Sequence, residues 1–430
     1  MSFKTVNIIT LGCSKNLVDS EHLMTQFAAN GFEVLHEDNG MADIVIVNTC
    51  GFILDAKEES INMVMDFVSA KKKRKIKKLY VMGCLSARYR DDLEKEIPEV
   101  DRFFGKFDFE AIIQELGIQK RKDLLFDRVL TTPSHFAYLK IAEGCDRTCA
   151  FCAIPQFTGK FKSVPLENLL IEAELLARKG VKELLLIAQE LTYYGIDLYK
   201  ERKLPELIDR LSKIKGIEWI RLHYAYPTNF PLELLDVIKN NPKVCKYLDL
   251  PLQHISSNVL KKMRRNVSEH QTRDLVKRIR KEVPGIALRT TMLVGHPGET
   301  EEDFQLLLDF IQEAKFDRLG VFPYSHEDDT FDFSTYTDEI SQEVKEQRAS
   351  KVMEVQQTIS EQIAAQKVGT VMNILIDREE SEFYIGRTEF DSPEVDGEVL
   401  ISNKVELEIG RFYQVKITAS DLFDLYGEVV

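Results

Sequence analysis

Apolar runs alternate with amphipathic, helix-like stretches along the first 130 residues. The runs are VNIITLGC, ADIVIVNTC and KLYVMGC, and the stretches between them are SEHLMTQFAANG and DAKEESINMVMDFVSAKK. Alternating strands and helices predict a parallel sheet with helices on its faces. We therefore expect residues 1–130 to form a doubly wound α/β domain.

The same alternation continues six times in residues 131–365. The strand candidates are FAYLKIAEGC, ELLLIAQE, WIRLHYAYP, KYLDLPLQH, IALRTTMLVG and DRLGVFPYS, separated by helical stretches such as PLENLLIEAELLARKG and EEDFQLLLDFIQEAK. Six βα units predict an open, partial version of the eightfold barrel, whose catalytic face lies at the carboxyl ends of its strands. A long amphipathic helix over 341–365 is expected to close this domain.

Residues 366–430 have a different pattern, with short strands between Gly and Pro turns. Four runs are strand-like: TVMNILIDREE, EFYIGRTEF, YQVKITAS and LYGEVV. The pattern predicts a small antiparallel β-barrel as a third domain.

Composition limits the cellular location and the binding partners that we expect. A chain of 430 residues is too long to form a single hydrophobic core, so we expect more than one domain. Its net charge of −13 makes it a poor general ligand for nucleic acid. No apolar run reaches the roughly 18 residues of a membrane span, and the N-terminus enters a strand without a targeting segment. We expect a cytoplasmic protein without membrane contact, whose seven cysteines suit metal better than disulfides.

Three of the cysteines form one short motif, AEGCDRTCAFC, which contains Cys145, Cys149 and Cys152. Full ligation of a 4Fe–4S cluster takes four thiolates. A cluster held by three keeps one iron open to a small molecule, as a catalytic zinc site keeps one position open. A zinc site and a disulfide set are the alternatives. The first lacks a fourth Cys or His at ligand spacing nearby, and the odd cysteine count disfavours the second.

Three more cysteines, Cys13, Cys50 and Cys84, each end a strand of the first domain. They are 37 and 34 residues apart, close to one βαβ step each. Ligands of open α/β sheets collect at the carboxyl ends of the strands, so we predict a second three-cysteine cluster there. The alternative is three buried apolar cysteines, a common environment for this residue. Cys245 has no partner in either set and is predicted to be a buried apolar residue.

With two three-cysteine sets, a βα barrel and a small final barrel, the whole chain resembles the radical S-adenosylmethionine (radical SAM) methylthiotransferase family. That family has an N-terminal cluster domain, a radical SAM barrel and a TRAM-type barrel. One branch modifies an adenosine in tRNA and usually has Gln-Met-Asn after its first cysteine. The motifs LGCSKNLVDSE, AQELTYYGID, RLHYAYP and PLQHIS are similar to the other branch, which modifies ribosomal protein S twelve. Glu190, where many relatives have Asp, and SHEDDTFDF at 325–333 depart from the family pattern.

The resemblance implies a mechanism and a set of site residues. Both cysteine sets would hold 4Fe–4S clusters. One cleaves S-adenosylmethionine to a radical that takes hydrogen from the β-carbon of an aspartate, and the auxiliary cluster carries the sulfur. A second S-adenosylmethionine would supply the methyl group, with a low-potential electron donor and a sulfur source as partners. S-adenosylmethionine contacts are expected from Phe151, Glu190, Gly295 and Pro297. A plain turn and helix N-cap explain the last two equally well.

Two alternative functions remain at this point: a tRNA adenosine methylthiotransferase, and an iron–sulfur electron carrier or sensor. Charge favours the ribosomal protein over tRNA, because residues 366–430 contain fourteen acidic and six basic side chains. Such a barrel repels RNA phosphate and complements a basic protein. We expect a docking face formed by Glu379, Glu380, Glu382, Asp391, Glu394 and Asp396.

Overall fold

The first domain is built on a five-stranded parallel sheet. A computed structural model describes residues 3–38 and 42–430 of the chain. The elements of this domain are β1 (Thr5–Thr10), α1 (Ser14–Ala29), β2 (Glu33–His36), β3 (Ile44–Thr49), α2 (Leu54–Lys72), β4 (Lys78–Gly83), α3 (Cys84–Glu96), β5 (Arg102–Phe103) and α4 (Phe109–Glu115). The strand order is β2-β1-β3-β4-β5, which confirms the predicted doubly wound sheet. Strands β2 and β5 were not predicted, because both are short edge strands without a buried apolar run.

Alternation along the strands places a separate core on each face of this sheet. Val6 and Ile8 of β1 pack with Phe27 of α1 on one face. Ile9, the next residue of β1, belongs to the other core with Val64 of α2. Since each fully buried aliphatic side chain contributes about 1.5–3 kcal/mol, the helices are held firmly on both faces.

The second domain is the predicted open barrel. Its elements are β6 (Phe136–Lys140), β7 (Ala142–Glu143), α5 (Ile154–Thr158), β8 (Lys162–Ser163), α6 (Leu166–Arg178), β9 (Glu183–Ile187), α7 (Ile196–Tyr199), α8 (Leu204–Ser212), β10 (Trp219–Leu222), α9 (Glu233–Asn240), β11 (Val244–Asp249), α10 (Ser257–Lys262), α11 (Glu269–Glu282), β12 (Ala287–Val294), α12 (Glu301–Ala314), β13 (Arg318–Pro323), α13 (Phe331–Thr335) and α14 (Gln342–Lys367). Six parallel strands lie in the order β13-β12-β11-β10-β9-β6, which confirms the partial barrel. Within the described residues, every helix is too short or too polar to cross a membrane.

Helix α1 joins the first domain to the inner face of the open barrel. Val18 of α1 packs among Phe136, Tyr138, Leu185 and Ile187. These residues point away from the outer helices because neighbouring residues of a strand alternate between its faces. The two domains therefore share a hydrophobic contact along β6 and β9.

A buried arginine strengthens this junction. Arg128, in the segment between the two domains, donates to Glu172 of α6 at 2.9 Å and also pairs with Glu21 of α1. All three side chains are buried. Removing one partner of such a group leaves uncompensated charge and costs about 3–5 kcal/mol.

The third domain is a closed five-stranded barrel of β14 (Val371–Glu380), β15 (Phe383–Arg387), β16 (Val399–Ser402), β17 (Phe412–Ser420) and β18 (Leu425–Val429). Four of these strands were predicted, and β16 was missed. The barrel packs Leu375, Phe390 and Phe412 against Trp219 and Cys245 of the second domain. This contact confirms the predicted apolar burial of Cys245.

The acidic residues of this third domain do not all face solvent. Asp391 is buried and pairs with Arg318 of β13, and Asp396 accepts a hydrogen bond of 2.9 Å from the Tyr247 hydroxyl. The prediction that these two carboxylates belong to a docking face is therefore wrong, since side chains of the second domain already pair with them or donate hydrogen bonds to them. The exposed members of the predicted face are Glu379, Glu380, Glu382 and Glu394.

Candidate iron–sulfur sites

Cys13, Cys50 and Cys84 follow three neighbouring strands. Cys13 and Cys50 lie just beyond β1 and β3, and Cys84 directly follows β4 as the first residue of α3. Strands β1, β3 and β4 are adjacent in the sheet, with neighbouring strands about 4.8 Å apart. The strand order reverses between β1 and β3, which is where open α/β sheets bind their ligands.

Glycines beside the cysteines let the three loops approach one another. A Cβ atom added at Gly12 would lie 2.8 Å from the Cys50 Sγ, and one at Gly51 would lie 2.7 Å from the Leu85 amide nitrogen. A Cβ atom at Gly83 would lie 2.5 Å from the Thr49 carbonyl oxygen. The close approach of the three cysteine loops therefore depends on the missing side chains of the glycines.

Asn16 joins the same three loops through hydrogen bonds, and sequence reasoning did not assign it a role. Its Nδ2 donates to the carbonyl oxygens of Leu11 at 3.0 Å and Thr49 at 3.2 Å. Its Oδ1 accepts from the Cys84 thiol at 3.7 Å. Asn16 lies three residues after Cys13, at the start of α1, and this position in LGCSKN was the only available signal.

Two lysines set the electrostatics of these thiols. Burial raises the pKa of Cys84 to about 12 and also raises the pKa of Cys50. Burial would do the same at Cys13, but the cations of Lys15 and Lys106 hold the pKa of that thiol below its ordinary value. Because iron binds the thiolate form, ligation would displace the protons of the buried thiols.

The second cysteine set lies in the loop between β7 and α5, and backbone hydrogen bonds fix this loop at several points. The Cys145 amide donates to the Gly159 carbonyl at 3.2 Å, and the Ala150 amide donates to the Met263 carbonyl at 2.9 Å. The Arg147 amide donates to the Cys145 Sγ at 3.4 Å. The loop that carries the three thiols thus has a defined shape.

Aromatic and cationic side chains surround this loop. The Cys149 Sγ lies 3.5 Å from the Tyr226 hydroxyl and 3.5 Å from the Arg265 Nη1. Burial raises the pKa of Cys145 to about 11 and also raises the pKa of Cys152. The second site therefore resembles the first, with desolvated thiols beside fixed cations.

The four predicted S-adenosylmethionine contacts lie around the second cysteine loop or at the end of β12. Phe151 packs with Met263, Leu293 and Tyr324. The Glu190 carboxylate accepts from Arg147 at 2.8 Å, so it connects β9 to the cysteine loop.

Gly295 and Pro297 form the turn after β12. The Gly295 amide donates to the Glu299 carboxylate at 2.7 Å, and a Cβ atom at Gly295 would collide with Lys345 of α14. The Pro297 carbonyl accepts from Lys262 at 3.4 Å. Thr300 caps α12 together with Asp303. The turn and N-cap interpretation accounts for these contacts, and a role in binding S-adenosylmethionine stays a prediction.

The two cysteine sites meet at one domain interface. Cys84 packs in a buried cluster with Phe157 and with Ala153, the residue that follows Cys152. Lys106 of the first domain pairs with Glu143, two residues before Cys145, at 3.1 Å. Side chains from both sites thus contribute to the same interdomain contact.

The spacing of the thiols bears on what they could bind. Within the described residues, no group of three or more His, Cys, Asp or Glu side chains is close enough to hold a single metal ion. Thiolates on one tetrahedral zinc, at a Zn–S distance of about 2.3 Å, lie about 3.8 Å apart. A 4Fe–4S cluster gives each thiolate its own iron, so its ligands are spaced more widely. All seven cysteines are free, so none forms a disulfide.

Known proteins match this chain in each of its parts. An uncharacterized protein family, UPF0004, matches residues 5–105, the radical SAM superfamily matches 139–311, and the TRAM domain matches 368–430. The proteins named "Ribosomal protein uS12 methylthiotransferase RimO" from Phocaeicola vulgatus and Bacteroides thetaiotaomicron are each 56% identical to it over 432 residues. These alignments cover 100% of this chain, and 100% and 99% of the respective relatives. The chain belongs to the ribosomal protein uS12 methylthiotransferase family. Membership confirms the predicted resemblance to radical SAM methylthiotransferases.

Solved structures of radical SAM enzymes share the fold. The radical S-adenosylmethionine methyltransferase TsrM from Kitasatospora setae has a TM-score of 0.54 and 14% sequence identity, covering 88% of this chain and 79% of that one. The cobalamin-dependent S-adenosylmethionine radical enzyme OxsB has a TM-score of 0.52 and 14% identity, covering 83% of this chain and 56% of that one. At such identities the likeness shows the fold alone.

Proposed function

We propose that this chain adds a methylthio group to the β-carbon of a specific aspartate of ribosomal protein S twelve, in the cytoplasm. Family membership makes it a radical SAM methylthiotransferase, an enzyme that uses S-adenosylmethionine and a 4Fe–4S cluster. The observation that carries the proposal is the meeting of two three-cysteine sites at one interface, where Cys84 packs on Ala153. A transfer that needs a radical and a sulfur donor at one carbon requires two such neighbouring sites.

The proposal assigns a 4Fe–4S cluster to each cysteine set. The set in the second cysteine loop is Cys145, Cys149 and Cys152, and the auxiliary set is Cys13, Cys50 and Cys84. When bound, the clusters and S-adenosylmethionine supply radical chemistry and sulfur at a carbon that is not acidic enough for a side-chain base. The loops around Gly12 and Gly51, which a Cβ atom would fill, support the auxiliary site.

The residues of the chain would hold and shield the cluster at the second cysteine loop. Backbone hydrogen bonds fix the loop before and after Cys149, through Cys145 and Ala150. Phe151 is anchored in an apolar cluster, and Arg147 is held by Glu190. A site fixed in this way needs no rearrangement at the moment of reaction.

The interface would also exclude water from the reacting centre. Lys57 of α2 pairs at 2.7 Å with Glu327, which lies in the 325–333 segment that departs from the family pattern. Arg88 of α3 also lies 3.6 Å from the Glu327 carboxylate. These contacts close the side of the interface next to Cys84, and exclusion of water protects reactive intermediates from side reactions.

The partners follow from the same proposal. The exposed carboxylates Glu379, Glu380, Glu382 and Glu394 would face the basic ribosomal protein, since complementary charge steers association. A low-potential electron donor and a sulfur source complete the set. The relatives named above carry the name of the ribosomal protein, which favours this substrate over tRNA adenosine and favours an enzyme over an electron carrier.

Mass spectrometry of ribosomal protein S twelve tests the proposal directly. The protein from cells that lack this gene should be lighter by one methylthio group, and the gene supplied again should restore the mass. A copy carrying Cys149→Ala should not restore it. If the ribosomal protein keeps its mass while a tRNA adenosine loses its methylthio group, the proposal is wrong and the tRNA branch is correct.

A further inference from the structure

The interface between the two cysteine sites contains more positive than negative side chains. Three lysines, Lys15, Lys106 and Lys140, lie there with two carboxylates, Asp19 and Glu143. Lys106 and Lys140 pair with Glu143 at 3.1 and 3.0 Å, and Lys140 also pairs with Asp19. Both carboxylates are thereby paired, and neither forms an ion pair with the third lysine.

That third cation is Lys15. Its side chain is buried, with 8% of the residue exposed. Within the described part of the chain, no carboxylate lies within 4.0 Å of its ammonium and none of the hydrogen bonds includes it. Its Nζ lies instead 4.0 Å from the ring centroid of Tyr224. A ring face replaces only part of the lost hydration, so a buried ammonium of this kind requires an anion.

The ring that faces Lys15 is held in place. Tyr224 has a left-handed backbone conformation, with φ of 63°, just beyond β10. Its amide donates to the Asp249 carboxylate at 3.2 Å, and its carbonyl accepts from the Leu191 amide at 3.1 Å. The position of the ammonium is therefore set by the barrel as well as by α1.

Lys15 also has neighbours that belong to each of the two cysteine sites. It is two residues from Cys13 in the first domain. On the barrel side, Tyr224 is two residues from Tyr226, whose hydroxyl lies 3.5 Å from the Cys149 Sγ. An anion on Lys15 would therefore lie where the start of α1, next to Cys13, faces the segment of the open barrel that leads to Tyr226.

We propose that Lys15 binds the side-chain carboxylate of the residue that is modified, an inference that rests on the proposed function. In an aspartate the β-carbon is bonded directly to the carboxylate carbon. Anchoring the carboxylate therefore holds the β-carbon between the two cysteine sites. The rival role for Lys15 is to balance the negative charge of the auxiliary thiolates.

Binding measurements separate these roles without relying on turnover. The reconstituted enzyme is titrated without oxygen and without S-adenosylmethionine, using ribosomal protein S twelve with its target aspartate and the same protein with that residue changed to asparagine. A hydrogen bond to a charged group corresponds to on the order of a ten- to hundredfold affinity difference. Wild-type enzyme should prefer the aspartate form by that factor, and Lys15→Met should bind both forms alike.

The control variant is Lys162→Met, which removes the same charge from an exposed position on β8. It should keep the preference for aspartate, and iron content and S-adenosylmethionine cleavage check that both variants are intact. A preference that survives in Lys15→Met, or is absent from wild-type enzyme that binds both forms, overturns the assignment of Lys15. If Lys15→Met shifts the spectrum of the auxiliary site but keeps the preference for the aspartate form, the assignment is also overturned and the rival role is favoured. Wild-type enzyme that binds neither form, free or in the small subunit, overturns the proposed function together with this inference.

Discussion

The contact between Gly12 and Cys50 allows a sharp test of the auxiliary site. In Gly12→Ala, the new Cβ atom would lie 2.7 Å from the Cys50 Cβ and 2.8 Å from its Sγ. Gly12 also has a φ of 90°, which an alanine adopts only with strain. The substitution therefore acts directly on a predicted iron ligand and on no residue of the second cysteine loop.

The expected size of the effect follows from these two terms. Backbone strain at such a position costs about 1–3 kcal/mol, and overpacking costs about 1–3 kcal/mol more. The total of about 2–6 kcal/mol is smaller than all but the lowest stabilities of domains, about 5–15 kcal/mol, so the protein should still fold. Relief of the contact requires the Cys50 sulfur to move by about 1 Å to reach ordinary packing distance. Metal sites tolerate ligand shifts of only about 0.2 Å.

Iron content after reconstitution measures the result. Wild-type protein should hold about eight irons per chain, and Gly12→Ala about four. The matched control is Gly31→Ala, because Gly31 also has a positive φ, 82°, but has nothing within 4 Å of an added Cβ atom. It suffers the same kind of strain without the collision and should keep about eight irons.

Two outcomes would refute the reasoning. A Gly12→Ala protein that keeps the wild-type iron content and spectrum would show that the Cys50 thiol is not a ligand at this site. A Gly31→Ala protein that also loses half its iron would assign the loss to general destabilisation of the domain. In that case the close approach of the Gly12 and Cys50 loops would have no special role.

Three further predictions concern the cysteines and the third domain. Replacing the three cysteines of the second cysteine loop, Cys145, Cys149 and Cys152, with alanine should leave about four irons of about eight. A variant without any iron would contradict two independent sites. Alanine at any auxiliary cysteine should abolish methylthiolation but preserve reductive cleavage of S-adenosylmethionine. The control, Cys245→Ala, should keep both activities. Normal product formation by the auxiliary variants would exclude the auxiliary site as the sulfur donor. Reversing Glu379, Glu380 and Glu382 to lysine should weaken binding of the ribosomal protein, by about 0–1 kcal/mol for each charge and less at high salt, with S-adenosylmethionine cleavage unchanged. Asp391→Asn, at a buried position, should instead lower the midpoint temperature of unfolding. Unchanged binding in the charge-reversed variant together with weakened binding in Asp391→Asn would place the docking face elsewhere.

The parts of the fold that could be predicted from sequence depend on local patterns. All six strands of the open barrel were predicted because each is a mainly apolar run bounded by turn residues. The long helix, expected over 341–365, is observed as Gln342–Lys367. The cysteines at the ends of β1, β3 and β4 could be placed at one sheet edge, since parallel strands end on the same side.

Other features leave no local trace in the sequence. Arg128 and Glu21 pair across 107 residues, and nothing in either segment marks the other as its partner. The same holds for Asp391 and Arg318, which is why a count of acidic residues suggested a wholly exposed docking face. A charge count gives the balance of a domain, whereas the surface that a carboxylate occupies depends on the packing of two domains.

The glycines beside the cysteines connect the sequence to the candidate sites. Each auxiliary cysteine has a neighbouring glycine, at Gly12, Gly51 and Gly83, and Cys145 has Gly144. In each case a Cβ atom would collide with a backbone or with a facing cysteine. Thiols from separate segments can converge on one cluster only if their backbones come closer than side chains normally permit. A glycine next to each strand-end cysteine therefore distinguishes these loops from buried apolar cysteines such as Cys245, whose neighbours are Val244 and Lys246.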